Sequence, residues 1–414
     1  MQFEDHYQCK LSDDLVQWFD EGVFAVDGGN EYRDVIDPSL LLCDVPEVIW
    51  PCLMPPDFLP LIGSGQGDWL GVRVDADNNA SEIIQWYHGG GDWIPWGRTL
   101  AEAILFDAVC DQLPGPHRRH AIPAEPIKRR PANENDWANW ALKHLPPEVK
   151  SVLSPDCSST QLAERLIENE VAEIAVRCEL VQDCLHEPLS ETLTLKKAVD
   201  LGLDWDSAVE WMFDVDRIPD SLRQSLQSNL GLSLDVAQDW NAAAEHCRRV
   251  IEASAEHAWA FDLLGYSLEK LGETDQAIDV YLQGASASVF TAQSVRLKTH
   301  WAAQRSAKFS TSRLLEIDAD GVRENSYLSL LIDGDAQSRR ESVKELHLAD
   351  VPTKDSASAY QKLVAAGWDL GAEPITAYAD ILQQIVHAAE AADQKARARV
   401  AATHLSCFAS RYSR

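Results

Sequence analysis

Several groups of residues have types and spacings that could carry chemistry. The run Gly63-Ser64-Gly65-Gln66-Gly67-Asp68 has the glycine density of a phosphate-cradling loop. A nucleotide loop follows a strand and opens a helix, whereas this run leads into the alternating stretch Trp69-Leu70-Gly71-Val72-Arg73-Val74. It also lacks Gly-x-Gly-x-x-Gly spacing and a Gly-Lys-Ser/Thr ending, so nucleotide binding is not expected. Asp75, Asp77 and Asn79 begin like a calcium loop, but the sixth position is Ala80 and the twelfth is Trp86, where glycine and a bidentate glutamate belong. A tight turn between strands explains them better. Cys178, Cys184 and His186 come close together without a fourth ligand at zinc spacing. His117 and His120 flank Arg118-Arg119 in a proline-rich stretch, which offers metal ligands no rigid frame. No His-Glu-x-x-His, nucleophile elbow or Ser/His/Asp signature appears. The residues therefore predict no catalytic group, no metal and no cofactor, and a chain that is not an enzyme.

Binding chemistry is better represented. In Trp86-Tyr87-His88-Gly89-Gly90-Gly91-Asp92-Trp93-Ile94-Pro95-Trp96, three glycines give an adaptable loop between tryptophans, which commonly anchor interfaces. Trp86, Tyr87, His88, Asp92, Trp93 and Trp96 are the candidate protein-contacting residues. The competing reading is that one or two of the tryptophans roof the domain core.

These residues need a frame, and the sequence supplies one. Leu70, Val72 and Val74 alternate with Gly71 and Arg73, the period of a half-buried strand. A second strand is predicted from Ile83 to His88, and Thr99-Leu100-Ala101-Glu102 is a capping box that starts a helix. Upstream, Leu15, Val16, Trp18 and Phe19 mark a short acidic helix. This order of glycine-rich turn, two strands, loop and capped helix, with Gly63, Gly67, Asp68 and Trp69 as the motif, resembles the SUKH superfamily over about residues 10–112. The resemblance implies an α+β domain with a mostly antiparallel sheet and flanking helices, structural glycines at Gly63 and Gly67, and recognition of other proteins. It makes an immunity-type protein that blocks a basic toxin domain a plausible assignment.

Residues 113–135 contain five prolines with Arg118, Arg119, Lys128, Arg129 and Arg130 between them, and read as a linker or extended strap. Helical periodicity follows over 136–223. Within 224–291, Leu230-Gly231 recurs as Leu264-Gly265, Ala243 as Ala277, and Cys247 aligns with Tyr281, all 34 residues apart. Phe261, Leu264, Gly265, Leu268, Gly272, Ala277, Tyr281 and Gly284 resemble a tetratricopeptide repeat, in which small residues let two helices approach. Residues 292–414 stay helical, and Ile375, Tyr378, Ile381, Leu382 and Ile385 form an apolar stripe. The expected architecture is thus an α+β domain (1–112), a linker, and an all-α repeat-like region.

The chain has 414 residues and a formal net charge of −30. Residues 1–115 hold 21 acidic against 4 basic side chains, a net of −17, while 116–150 carry a net of +3. Such acidity repels phosphate backbones and steers a basic protein partner, so nucleic acid is not an expected partner. Nine dispersed cysteines fit reduced thiols, no run is long enough to span a bilayer, and the N-terminus lacks secretory character, which together predict a cytoplasmic protein. The reading is an intracellular protein-binding protein. A scaffold that recruits a client through its repeats is the first alternative, and an enzyme with a site in the helical C-terminal half is the second.

Overall fold

The computed structural model describes residues 2–20, 22–23, 34–88, 93–113, 135–153, 159–177, 240–253, 258–286, 309–332, 335–351, 355–368 and 378–412. The N-terminal part runs α1 (Gln2–Tyr7), β1 (Lys10–Leu11), α2 (Asp13–Asp20), β2 (Asp34–Val35), α3 (Pro38–Leu41), β3 (Phe58–Gly63), β4 (Trp69–Val74), β5 (Asn79–Trp86), β6 (Trp93–Gly97) and α4 (Leu100–Val109). The helical part comprises α5 (Asp136–His144), α6 (Ser159–Glu168), α7 (Trp240–Ala253), α8 (Ala258–Lys270), α9 (Thr274–Ser286), α10 (Phe309–Ile317), α11 (Ala319–Glu324), α12 (Ser326–Ile332), α13 (Ala336–Asp350), α14 (Ser356–Trp368), α15 (Ala379–Ala391) and α16 (Lys395–Tyr412). Most of the expected linker, the Cys178/Cys184/His186 group, His117, His120 and the start of the first repeat unit lie outside the described residues.

The sheet is ordered β2-β3-β4-β5, with β1 and β6 both pairing with β5. β1 runs parallel to Asn79–Ala80, and the other pairings are antiparallel. Alternation divides its side chains between two cores. Leu59, Leu70, Val72 and Ile83 join Leu15, Trp18, Leu100 and Ile104 of the helices on one face. Phe58, Ile84, Trp86 and Trp93 form a second, largely aromatic layer with Met54. Each fully buried side chain of this size contributes roughly 1.5–3 kcal/mol.

The helix starting after Thr99 is held at its N-terminus from two directions. Thr99 Oγ1 accepts from the Glu102 N–H at 3.2 Å, while buried Asp14 of α2 accepts from the Ala101 N–H at 2.8 Å. Glu102 does not return its bond to Thr99, as a capping box would; its carboxylate accepts from the Arg98 N–H at 2.9 Å. Packing then continues past residue 112. Asn135 caps α5, whose Trp137 and Trp140 lie edge-on or tilted against Trp18, with ring centroids 5.2 and 5.6 Å away.

Among the described helices, each one from α7 onward packs against the next described one, as far as α16. In the α8–α9 hairpin the Tyr281 ring lies against Gly265, where a Cβ would come within 2.4 Å of it. Tyr281 donates to Glu269, which also pairs with Arg313 of α10.

The series ends on the N-terminal domain. The β4–β5 turn is organised by Asp75, which accepts from the N–H groups of Asp77 and Asn79 at 2.9 and 2.8 Å, and leaves Asn78 at φ +65°. Asn78 Oδ1 then accepts from the Ala396 N–H at 2.8 Å, so the turn caps α16 from the opposite end of the chain. Along α16, Arg397 Nε donates to the Val74 carbonyl (3.2 Å), Arg399 Nε to the His6 carbonyl (3.2 Å), and His404 Nε2 to the Phe58 carbonyl (3.0 Å). Ala396, Val400 and Cys407 enter the main core, while Ala398, Ala401 and Phe408 pack with Leu382 and Ile385 of α15.

Because a carbonyl only accepts, the bond to Phe58 requires a proton on His404 Nε2, and burial of the ring disfavours the second proton that would charge it. Burial pushes its pKa down from 6.5 to about 4, against smaller upward effects of the Phe58 bond and Asp57. The unfolded chain therefore takes up this proton first as pH falls. Stability from this group is complete above pH 6.5, is lost between 6.5 and about 4, and amounts to about 3 kcal/mol. A His404→Gln variant, whose amide still donates to Phe58, should show a correspondingly shallower loss of stability between pH 7 and 4.5 in urea unfolding. Identical pH profiles for the two proteins would contradict a buried neutral imidazole.

Candidate functional site

The residues singled out from sequence occupy three kinds of position. Trp86 and Trp93 are buried in the aromatic layer, with Trp86 Nε1 donating to the Leu53 carbonyl at 3.1 Å, so neither presents a surface. Trp96 is half-buried, its ring edge-on to Phe106 at 4.7 Å. Tyr87 is half-buried, His88 is exposed, and Asp92 lies outside the described residues. Gly63, Gly67, Asp68 and Trp69 build a turn. Gly63 lies under the Trp69 ring, where a Cβ would be 2.8 Å away, and Gly67 takes φ +105° against the His88 ring. Asp68 Oδ1 accepts the His88 N–H at 3.0 Å and contacts its Nδ1 at 2.9 Å, locking the end of β5 to the turn before β4.

A site with the geometry of a binding cleft lies elsewhere among the described residues. A cavity of about 580 Å³ opens where β5 and β6 meet the segment after α6. Its polar lining consists mainly of Ser81 and Glu82 from β5, Arg98 and Glu102 at the start of α4, and Glu170 and Glu173 from the segment. The 169–172 turn puts Glu170 and Ala172 at positive φ (+53° and +48°), which brings the turn back onto α4. Arg98 joins the two parts. Its Nε and Nη2 donate to Glu102 at 3.2 and 3.0 Å, its Nη1 to the Glu170 carboxylate at 2.8 Å, and its Nη2 also to the Glu170 carbonyl at 2.8 Å. Burial works to lower the Arg98 pKa, but the hydrogen bonds and charges of Glu102 and Glu170 outweigh it and raise it.

The four carboxylates are not equivalent. Glu102 is nearly inaccessible and accepts from Arg98 side chain and backbone, so it is structural. Glu82 shares Arg73 with Asp57, and Glu173 pairs with Arg177 on the next turn, while both remain partly open to the cavity. Glu170 is the most exposed, with 66% of its side chain accessible. The arrangement offers negatively charged acceptors around a roomy opening, and the hydroxyl of Ser81 lies among the lining residues with no His or Lys beside it in that lining to activate it. Elsewhere, burial pushes the Cys9 thiol up to about 12, aided by Glu4, and the Cys52 thiol up to about 12, so neither is a thiolate at neutral pH. Among the described residues no group of three or more His, Cys, Asp or Glu side chains is arranged to hold a metal, and no helix is long and apolar enough to cross a membrane.

Sequence reasoning reached Glu102 through the capping box but not Arg98, Glu170 or Glu173. Nothing in the local pattern of 170–174 marks a segment that folds onto a helix start some 70 residues earlier. No protein-family model matches the chain, and no curated protein or solved structure matches it either.

Removing Glu102 leaves the Arg98 N–H and guanidinium short of a partner, so Glu102→Ala should destabilise the fold by about 2–4 kcal/mol. Glu170→Ala, which breaks an exposed pair, should cost less than about 1 kcal/mol. Equal losses in chemical denaturation would show that Glu102 is not the buried hub of this site.

Proposed function

We propose that this chain is a non-catalytic protein-binding protein whose N-terminal SUKH-like domain recognises a basic protein partner, with an immunity-type inhibitor of a basic toxin domain as the specific form. The observation that carries this reading is the cleft beside Arg98. Its accessible carboxylates (Glu82, Glu170 and Glu173) come from two separate parts of the chain and face a cavity large enough for a partner's loop or cationic side chains. The net −17 of residues 1–115 supplies a long-range field of the same sign, which accelerates encounter with a basic surface.

A second reading has its own support. The α8–α9 hairpin, close-packed through Gly265 and continued by α10, has the form of a helical repeat that could hold a client on its exposed faces. The two readings place recognition in different parts of the chain.

Affinity capture with the whole chain from native lysate separates them. The cleft reading predicts one basic partner, released by high salt and retained less by the double variant Glu170→Lys/Glu173→Lys, with association slowed far more than dissociation is hastened. A partner indifferent to both salt and the double variant would overturn the cleft reading.

A further inference from the structure

Consecutive residues of a strand point to opposite faces, yet Ser81 and Glu82 of β5 both line the cleft. The register explains this. Val72 pairs with Ile83 but Val74 with Ala80, so β5 carries one extra residue opposite Arg73. A bulge of this kind re-aims side chains, and here it turns two neighbours towards one cavity. The re-aimed Glu82 is held from across the strands, where Arg73 Nη1 donates to its carboxylate at 3.2 Å.

Arg73 is itself fixed from two further directions. Its Nε and Nη2 fork onto the Asp57 carboxylate at 3.2 and 2.9 Å, and its guanidinium lies 4.6 Å from the centre of the Trp93 ring. Asp57 is tied to β4 through its carbonyl, which accepts the Val74 N–H at 3.0 Å, and its Oδ2 is 3.9 Å from Arg397 Nε of α16. Accessibility rises outward along these charges, from 4% for the Asp57 side chain through 18% for Arg73 to 35% for Glu82. Glu82 is therefore the member of the three that is most open to a partner in the cleft. A lysine would neutralise Glu82 as well; what the fork and the ring contact add is a fixed direction.

We propose that Arg73 is a positioning residue of the cleft, presetting the Glu82 carboxylate to receive a cationic side chain of the basic partner. A carboxylate ordered beforehand loses little rotamer freedom on binding. The inference rests on the cleft reading, but it makes a claim that charge alone does not. As a positive charge Arg73 opposes an incoming cation, whereas as a positioning group it favours one.

The probe is a labelled hexa-arginine peptide, titrated into the whole chain over a range of salt concentrations. Weaker binding to the Glu170→Lys/Glu173→Lys double variant places the peptide in the cleft. Arg73→Lys keeps the charge and a partner for Asp57 but gives up the fork and the reach to Glu82. It should weaken the peptide about three- to tenfold with an unchanged salt slope. Glu82→Gln should weaken binding and flatten the slope as well. Combining the two separates positioning from a general loosening of the fold. In the Glu82→Gln background, Arg73→Lys should change the affinity by less than about twofold. If Arg73→Lys binds as tightly as the unaltered chain, or weakens binding equally in both backgrounds, the positioning role is overturned and the cleft reading stands. Binding indifferent to Glu170→Lys/Glu173→Lys overturns both.

Discussion

The seam between α16 and the N-terminal sheet is the interaction on which the remaining architecture depends. It is not one contact but a ladder. Asn78 caps the helix, Arg397 and His404 donate to the carbonyls of Val74 and Phe58, and Cys407 and Arg411 reach Pro46 and Glu47. Between these rungs Ala396, Val400 and Cys407 share the core of the sheet. The small side chains of Ala396 and Cys407 on this face let the helix lie close, so backbone carbonyls of the domain come within reach of its longer side chains.

The seam hides a polar cluster that a simple apolar interface would lack. Asp57 is nearly inaccessible and takes a bidentate pair from Arg73, with Arg397 3.9 Å away; the Arg397 guanidinium also covers the Tyr360 ring at 4.8 Å. Buried charges of this kind contribute little net stability, but removing one partner is costly, so they fix a single arrangement of helix and sheet. His404 acts similarly, its Nε2 bond specifying position while its Nδ1 stays without a partner. The same Arg73 reaches Glu82 at the rim of the cleft, so seam and candidate site share a residue.

Local signals made much of the N-terminal part legible. Alternation at Leu70, Val72 and Val74 marked β4, the Thr99–Glu102 box marked the start of α4, and the Asp75–Asn79 turn fell where its side-chain chemistry put it. The small residues at 265 and 277 likewise sit in a close helical hairpin over 258–286. What stayed hidden depends on partners distant in sequence. Two-residue strands such as β1 and β2 have no period to detect, and Asn78 reads as turn chemistry until a helix 318 residues away donates to it. Tryptophans pose a different problem, because a large ring serves core and interface equally well. Trp86 and Trp93 went inward, while Trp50, in a stretch with no marked pattern, remained half-exposed.

Taken together, the first and last elements of the chain form one unit, with the helical series strung between α5 and α16. Native-state hydrogen exchange on the whole chain tests this most directly. If the seam is integral to the fold, the amides of α16 should open only with those of β3 and β4, at the same free energy and with the same denaturant dependence. Exchange of α16 through a separate, lower-energy opening that leaves β3 and β4 protected would contradict it, and would make the helix an accessory to a domain that is complete without it.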